Sequence, residues 1–401
     1  MSSEEAALTG PLESSGSRAI RHLVGAVWLV TSVGCIFFIA EGVRHDRLVS
    51  TARAGHPFEF SWVIAQASLT FIALTALSVI LHECGHLVAA HRMRMTLLSM
   101  RVWPVEWVRR RRGVRLQRAI SAKPIACVIA MPNPQGAVNR QCAWFAAGGP
   151  AANALIAVLA GAYWLCNVIL DFSTGGMTTL IVVLGVLNTY LAIVNLLPIG
   201  RTVPSDGTQI RCALRGLSAK QWEPDYLQYM DSCFFQASPV EISHSTVARW
   251  LRSSQPALRA TGFHIRFQSA LTDGDMPAIV VAYTRLVEGV RALGPQGPAA
   301  CGMWLAVSTL EFVYEICVRG GDMADATRRV DALGRMRHLA PRSLLMRVEA
   351  AFALRRGDRK RALPLLERAR REAGNDFAVS SRAYGLSKIE GLAHLVGRPS
   401  A

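Results

Sequence analysis

With 401 residues the chain is long enough for two or three domains of ~150 residues each. Its apolar content of 51% exceeds the ~45–50% of ordinary soluble domains, and 44 Lys and Arg against 28 Asp and Glu give a net charge of +16. The basic excess is not a nucleic-acid signature: eleven Lys and Arg fall between Arg92 and Arg140, none falls between Gln141 and Gly200, and no recognition module or interleaved aromatic pattern accompanies them. Nine scattered cysteines without a Cys-x-x-Cys pair argue against both a disulfide framework and a thiolate metal site.

Four uncharged runs dominate the first 200 residues: Leu23–Ala40, Ser61–Leu81, Gln141–Leu170 and Phe172–Gly200. A bilayer is crossed by roughly 20 apolar residues in a helix, so each run is a candidate span. The first is too long for the apolar part of a secretory signal and lacks a small-residue cleavage site, so it reads as a retained helix. Asp171 and the Gly175-Gly176 pair mark a short turn between the last two runs. Basic loops stay on the cytoplasmic side, which puts 92–140, with its Arg109–Arg112 run, in the cytoplasm. The chain then starts inside, crosses four times and leaves its C-terminal half cytoplasmic. Arg44, Arg47 and Arg53 in the outer loop run against this orientation. The expected location is a bacterial inner (cytoplasmic) membrane, with the lipid bilayer as a partner.

Between the second and third runs, residues 97–131 are too polar to span. Val102, Val105 and Val108, then Val114 and Leu116, alternate around the arginine run and Gly113, which predicts a β-hairpin. A further extended piece, Ile125–Met131, ends at Pro132-Asn133-Pro134. An exposed strand edge in this region could pair with another extended chain.

The second run leads directly into His82-Glu83-Cys84-Gly85-His86. Residues four apart share a helix face, so His82 and His86 can grip one metal ion. Glu83, on the adjoining face, can take a proton from a water that the metal activates. Ionisable groups on a membrane helix are costly and are candidates for function. A polar helix end reaching the headgroups is the bland alternative, and it requires no particular spacing. Catalytic zinc needs three protein ligands and an open position. Asp206, in Asp206-Gly207, is the only acid between Asp171 and Glu223 and is therefore the candidate third ligand, although Asp-Gly also makes ordinary turns. Asn195 lies inside an apolar helix that Pro198 ends. Asn153, after Gly148-Gly149-Pro150, puts another amide in an apolar run, for an interhelical hydrogen bond or a substrate contact.

His82-Glu83-x-x-His86, Gly149-Pro150-x-x-Asn153 and Asn195-x-x-Pro198 followed by Asp206-Gly207, in that order on three apolar helices, resemble the site-2 protease family of intramembrane metalloproteases. The resemblance covers roughly residues 61–210. It implies a Zn2+ ion held by His82, His86 and Asp206, with Glu83 as catalytic base. It also implies a substrate strand held by Asn195 and Asn153, and membrane-associated β-structure at 97–131. The family pattern has four residues between the Pro and the Asp-Gly; here there are seven, Ile199 to Ser205. No segment long enough for a PDZ domain lies between the third and fourth runs.

Residues 245–398 read as helices rich in Ala and Leu, with Gly-Asp turns at Gly274-Asp275, Gly321-Asp322 and Gly357-Asp358. The last two are 36 residues apart and each has Ala five positions after the Gly, at Ala326 and Ala362. This resembles tetratricopeptide-like repeats, whose period is 34; an unrelated helical bundle is the alternative. The expected fold is mainly α. It has a tail, first span and outer loop (1–60), a metalloprotease core with a small β-region (61–210), a linker (211–244) and a helical domain for docking a protein partner (245–401). The expected activity is zinc-dependent hydrolysis of peptide bonds in or near membrane spans of other proteins. The competing function is a catalytically inactive membrane scaffold that gathers partners through its helical C-terminal domain.

Overall fold

The computed structural model describes residues 23–41, 60–110, 113–119, 125–170, 176–198, 205–236, 239–292, 296–373 and 382–397. Outside them lie the three loop arginines Arg44, Arg47 and Arg53, the Asp171 and Gly175 turn, Arg111 and Arg112, and all of 199–205 except Ser205. The chain divides into two compact units, Met1–Glu106 with Ala122–Lys220, and Trp107–Ser121 with Gln221–Ala401.

In the first unit the four apolar runs become four helices: α1 (Leu23–Glu41), α2 (Phe60–Arg92), α3 (Val138–Ile169) and α4 (Gly176–Leu196). The second continues past its apolar run, so that His82, Glu83 and His86 ride on unbroken helix. Cys35 and Ile39 of α1, Val63, Ala67 and Phe71 of α2, and Val183 and Leu187 of α4 form one buried cluster. Tyr190 donates its hydroxyl proton to the Val24 carbonyl at 3.0 Å, tying α4 to α1. Small residues set the approach of the other pairs. A β-carbon on Gly148 would meet that of Ala89 at 2.7 Å, and one on Gly185 would meet that of Ala160 at 2.8 Å, so α3 lies backbone-close to α2 and to α4.

Among the described residues, five helices are long and apolar enough to cross a membrane: these four and Cys301–Val318. They differ in what covers them. Only 17% to 33% of the apolar window of the first four is buried by the chain, against 83% for the fifth. Leu69, Ile72, Leu155 and Val158 are among the large side chains left bare on α2 and α3. A soluble protein rarely leaves apolar surface on that scale uncovered.

The polar segment after α2 forms a four-stranded sheet in the order β3-β2-β1-β4, with β1 Thr96–Val102, β2 Val105–Arg110, β3 Gly113–Arg118 and β4 Ala126–Met131. The expected hairpin is β2–β3, turning at Gly113, whose φ of 115° suits glycine alone. The extended piece expected at Ile125–Met131 is β4, and the strand pairing beyond the hairpin is what the sequence left open. A turn at Trp103-Pro104 separates β1 from β2, and β4 returns antiparallel along β1, from Thr96 opposite Met131 to Val102 opposite Ala126. Gln141 of α3 fastens the end of β4: its Oε1 accepts from the Asn133 amide at 2.7 Å and its Nε2 donates to the Asn133 carbonyl at 3.1 Å.

The second unit is helical apart from its strand segment. The short helices α5 (Asp206–Leu214) and α6 (Leu217–Gln221) close the first unit, and the second continues with α7 (Pro224–Phe235), α8 (His244–Leu251), α9 (Pro256–Asp273) and α10 (Met276–Arg291). They are followed by α11 (Gln296–Val318), α12 (Met323–Leu333), a 3-10 turn, α13 (Arg342–Arg355), α14 (Arg359–Ala373) and α15 (Arg382–Gly397). The three Gly-Asp signals are helix junctions. Gly274, Gly320 and Gly357 take positive φ where helices end, and Asp275, Asp322 and Asp358 accept backbone amides at the start of the next helix. Five residues after the first Gly of each Gly-Asp pair, Ile279, Ala326 and Ala362 are fully buried, so the shared spacing marks the face each second helix packs inward. In the core, Glu311 of α11 pairs with Arg347 of α13, and Glu315 pairs with Lys388 of α15 at 2.6 Å.

Candidate metal centre

Three side chains that the sequence singles out meet at one point. His82 and His86 lie one turn apart on α2, and Asp206 is the first residue of α5. The Nε2 atoms of the two histidines are 3.2 Å apart. Asp206 places Oδ2 at 3.2 Å from His82 Nε2 and Oδ1 at 3.4 Å from His86 Nε2. All three residues are buried, and together they are a group of ligands that could hold a metal ion. The dimensions fit. In a tetrahedral site with ligands ~2.0–2.1 Å from the ion, neighbouring ligand atoms stand about 3.3–3.4 Å apart. The two imidazole nitrogens stand at about that spacing, each faces a different oxygen of Asp206, and one ligand atom from each of the three residues lies within 4.8 Å of the others.

The triangle is built from two directions. On the α2 side, helical spacing sets the imidazoles, and α3 meets them from across the groove. Nδ1–H of His86 donates to the Phe145 carbonyl at 2.7 Å, which directs Nε2 into the triangle. Next to that carbonyl the helix ladder is open, because Pro150 has no N–H to give to Ala146. Gly149 faces both rings: a β-carbon there would lie 2.5 Å from Nε2 of His82 and of His86. Asn153, fully buried, places its amide nitrogen 3.1 Å from His82 Nδ1. One turn before His82, Ser78 Oγ accepts from Asn188 Nδ2 at 2.9 Å, linking α2 to α4.

Asp206 arrives from the other direction. The Ser205 hydroxyl donates to the Leu197 carbonyl at 2.6 Å and accepts from the Thr208 amide, capping α5 while tying it to the end of α4. Gly207 packs against the Leu196 backbone with no room for a β-carbon. The seven-residue spacing after Pro198 therefore still delivers the carboxylate, because its far end is fastened to where the preceding helix stops. Burial pushes the Asp206 carboxyl up, but the hydrogen bonds from His82 and His86 outweigh this and hold it below the ordinary carboxylate range.

Glu83 is buried beside the triangle, within electrostatic reach of both imidazoles and Asp206, and the backbone of Val128 in β4 lies at hydrogen-bonding range of its carboxyl. Its Oε2 has no hydrogen-bond partner among the described residues. Asn195 sits half-buried near the end of α4, outside the cluster. Reading the sequence missed Asn188, Phe145 and Ser205. Asn188 carried the same signal as Asn195, an amide in an apolar run; a backbone carbonyl such as that of Phe145 carries none. Chemically, the arrangement is a buried cluster of two imidazoles and a carboxylate that could hold a metal ion, with a second buried carboxyl beside it. Comparison with known proteins finds no family model, no curated protein and no solved structure that matches this chain.

Proposed function

We propose that the chain is an intramembrane zinc metalloendopeptidase of the site-2 protease type. The observation that carries the reading is the buried cluster of His82, His86 and Asp206, close enough to hold one ion, beside a Glu83 carboxyl with an unpartnered oxygen. Two imidazoles and one carboxylate, with a fourth position for water, are the donor set of catalytic zinc. A bound zinc ion supplies Lewis acidity, lowering the pKa of a water toward ~7 and polarising the scissile carbonyl. Glu83 accepts the proton of the attacking water and passes it to the leaving amine. Its burial among apolar helices keeps bulk water from competing for that proton.

The four bare apolar helices support a multi-pass membrane core, with the metal centre near the cytoplasmic end of α2 and the helical second unit in the cytoplasm. The fifth apolar helix is covered by its own unit and is left out of the count of spans. Substrate enters as an extended strand, because a helical peptide bond is shielded by its own hydrogen bonds. The outer edge of β4 suits this role: β4 ends the sheet, and Val128 on it faces Glu83. The paired helices of the second unit, tetratricopeptide-like in their Gly-Asp junctions, dock a protein partner or the tail of the membrane-protein substrate.

The deciding experiment compares wild type with Glu83→Gln. Glu83→Gln should keep about one zinc per chain and insert normally, while cleavage of a model membrane substrate falls by ~10²–10⁴-fold. Near wild-type cleavage by Glu83→Gln would end the protease reading, and wild type that binds zinc yet cleaves nothing in comparative membrane proteomics would leave the scaffold.

A further inference from the structure

The metal reading above leaves open how His82 is kept in the state that binds, and the contacts of α3 answer it. A neutral imidazole carries one proton: if Nε2 is to ligate, Nδ1 must hold the hydrogen and needs an acceptor. His86 has one in the Phe145 carbonyl. Among the described residues, His82 has only Asn153 at Nδ1. The Asn153 amide can stand in two orientations of the same shape, exchanged by a half-turn of the side chain. With Nδ2 toward the ring, Asn153 donates, Nδ1 must be bare, and the proton sits on Nε2, where it blocks ligation. In either orientation the amide atom turned away from the ring is buried without a partner among the described residues, so the choice turns on what the ring needs at Nδ1. With Oδ1 toward the ring, Nδ1–H gains its acceptor, the oxygen gains its donor and Nε2 is bare. Nε2 is the atom that faces Asp206 and His86.

We infer that Asn153 is a positioning residue for His82, accepting Nδ1–H through Oδ1 and so fixing the tautomer in which His82 can bind metal. Phe145, Gly149 and Asn153 are four residues apart in turn and lie along one stripe of α3. That stripe orients both imidazoles from behind: a carbonyl for His86, an amide oxygen for His82, and between them a glycine that leaves room at both ligand nitrogens. Its Nδ2 is released in this orientation, so a substrate contact would use the other atom of the same amide.

This inference rests on the metal reading, and its test separates the two. Full-length protein is purified in detergent and titrated with zinc alone against a chromophoric chelator, with Asn153→Leu and Asn153→Asp beside wild type. Asn153→Leu keeps the volume but offers no acceptor, and zinc affinity should fall ~10–100-fold, the usual cost of losing such a partner. Asn153→Asp offers acceptors only and should bind zinc as well as wild type or better. A structural role for the amide predicts no rescue by Asp, since a carboxylate cannot donate. Equal zinc affinity in Asn153→Leu and wild type, or an Asn153→Asp as weak as Asn153→Leu, overturns the inference while leaving the metal centre standing. A wild type that takes up no zinc overturns the metal reading itself. Should Asn153→Leu fail to fold, the affinity of Asn153→Asp against wild type still decides, because only an accepting role tolerates it.

Discussion

Gly149 faces His82 so closely that a methyl group in place of its hydrogen would lie 2.5 Å from the ligand nitrogen Nε2. The same methyl would stand equally close to His86 Nε2. Gly149→Ala must therefore either push both rings aside or occupy the space an ion would need ~2.0–2.1 Å from each nitrogen. Zinc affinity should fall by roughly 100-fold or more, since both ligands move together. Gly185→Ala is the control: its methyl meets Ala160 and strains helix packing without touching a ligand. Equal loss of zinc in both variants would mean that Gly149 acts through packing alone.

The three ligands should contribute unequally to pH dependence. Asp206 is held below the ordinary carboxylate range by the two imidazoles and so stays ionised through neutral pH. Protons must instead leave the histidines before metal binds. Zinc affinity should thus drop as the medium is made acid, because protons compete with the ion for the imidazole nitrogens. His82→Ala or His86→Ala should abolish binding, and Asp206→Ala should weaken it. Retention of full zinc affinity at pH 5, measured by equilibrium competition, would contradict a site built on imidazoles.

Ser205 should matter for metal affinity although it is not a ligand. Its hydroxyl caps α5 and ties it to Leu197, so it sets where Asp206 stands. Loss of an N-cap costs ~1 kcal/mol, equivalent to about fivefold. Ser205→Ala should weaken zinc binding by about that factor, while Ser205→Asp, which can cap but cannot donate to Leu197, should recover only part of it. Isothermal titration with zinc would show both steps.

In the second unit, Arg347 is 3% exposed and Glu311 2%, and the two form a buried ion pair. Removing one partner strands the other charge, at a cost of ~3–5 kcal/mol. Arg347→Ala should accordingly unfold this unit at markedly lower temperature or denaturant, as followed by limited proteolysis of the full chain. Arg370, 70% exposed and 3.7 Å from Glu390, forms a solvent-screened pair, and Arg370→Ala should change stability little.

The centre was legible in proportion to how local its geometry is. His82, Glu83 and His86 follow from helical periodicity, which sequence spacing states directly. Asp206 was reachable by elimination, but the route that brings it there depends on the Ser205 hydroxyl meeting the Leu197 carbonyl, and residue types do not announce such a contact. The acceptor on His86 is the backbone of Phe145, so no side-chain pattern could have revealed it. In the sheet, period-two alternation located strand material, while the break at Trp103-Pro104 and the return of β4 onto β1 are long-range pairings that alternation does not encode. The Gly-Asp junctions were readable because positive φ favours glycine and a free helix N-terminus favours aspartate. The middle junction has a doubled glycine, and there it is Gly320 rather than Gly321 that takes the positive φ.

Cys301–Val318 poses a sorting problem during synthesis. As it leaves the ribosome it is apolar enough to be handled as one more span, yet in the folded chain it lies inside the second unit. Glu311 and Glu315 sit within it, and before folding neither has met Arg347 or Lys388. Unpaired carboxylates in the middle of a nascent segment oppose its partition into lipid. In the folded chain the same two acids bind the helices that bury this one, and left unpaired they would disfavour its entry into a bilayer. Replacing both by leucine would remove that safeguard and divert the segment into the membrane, inverting everything that follows it.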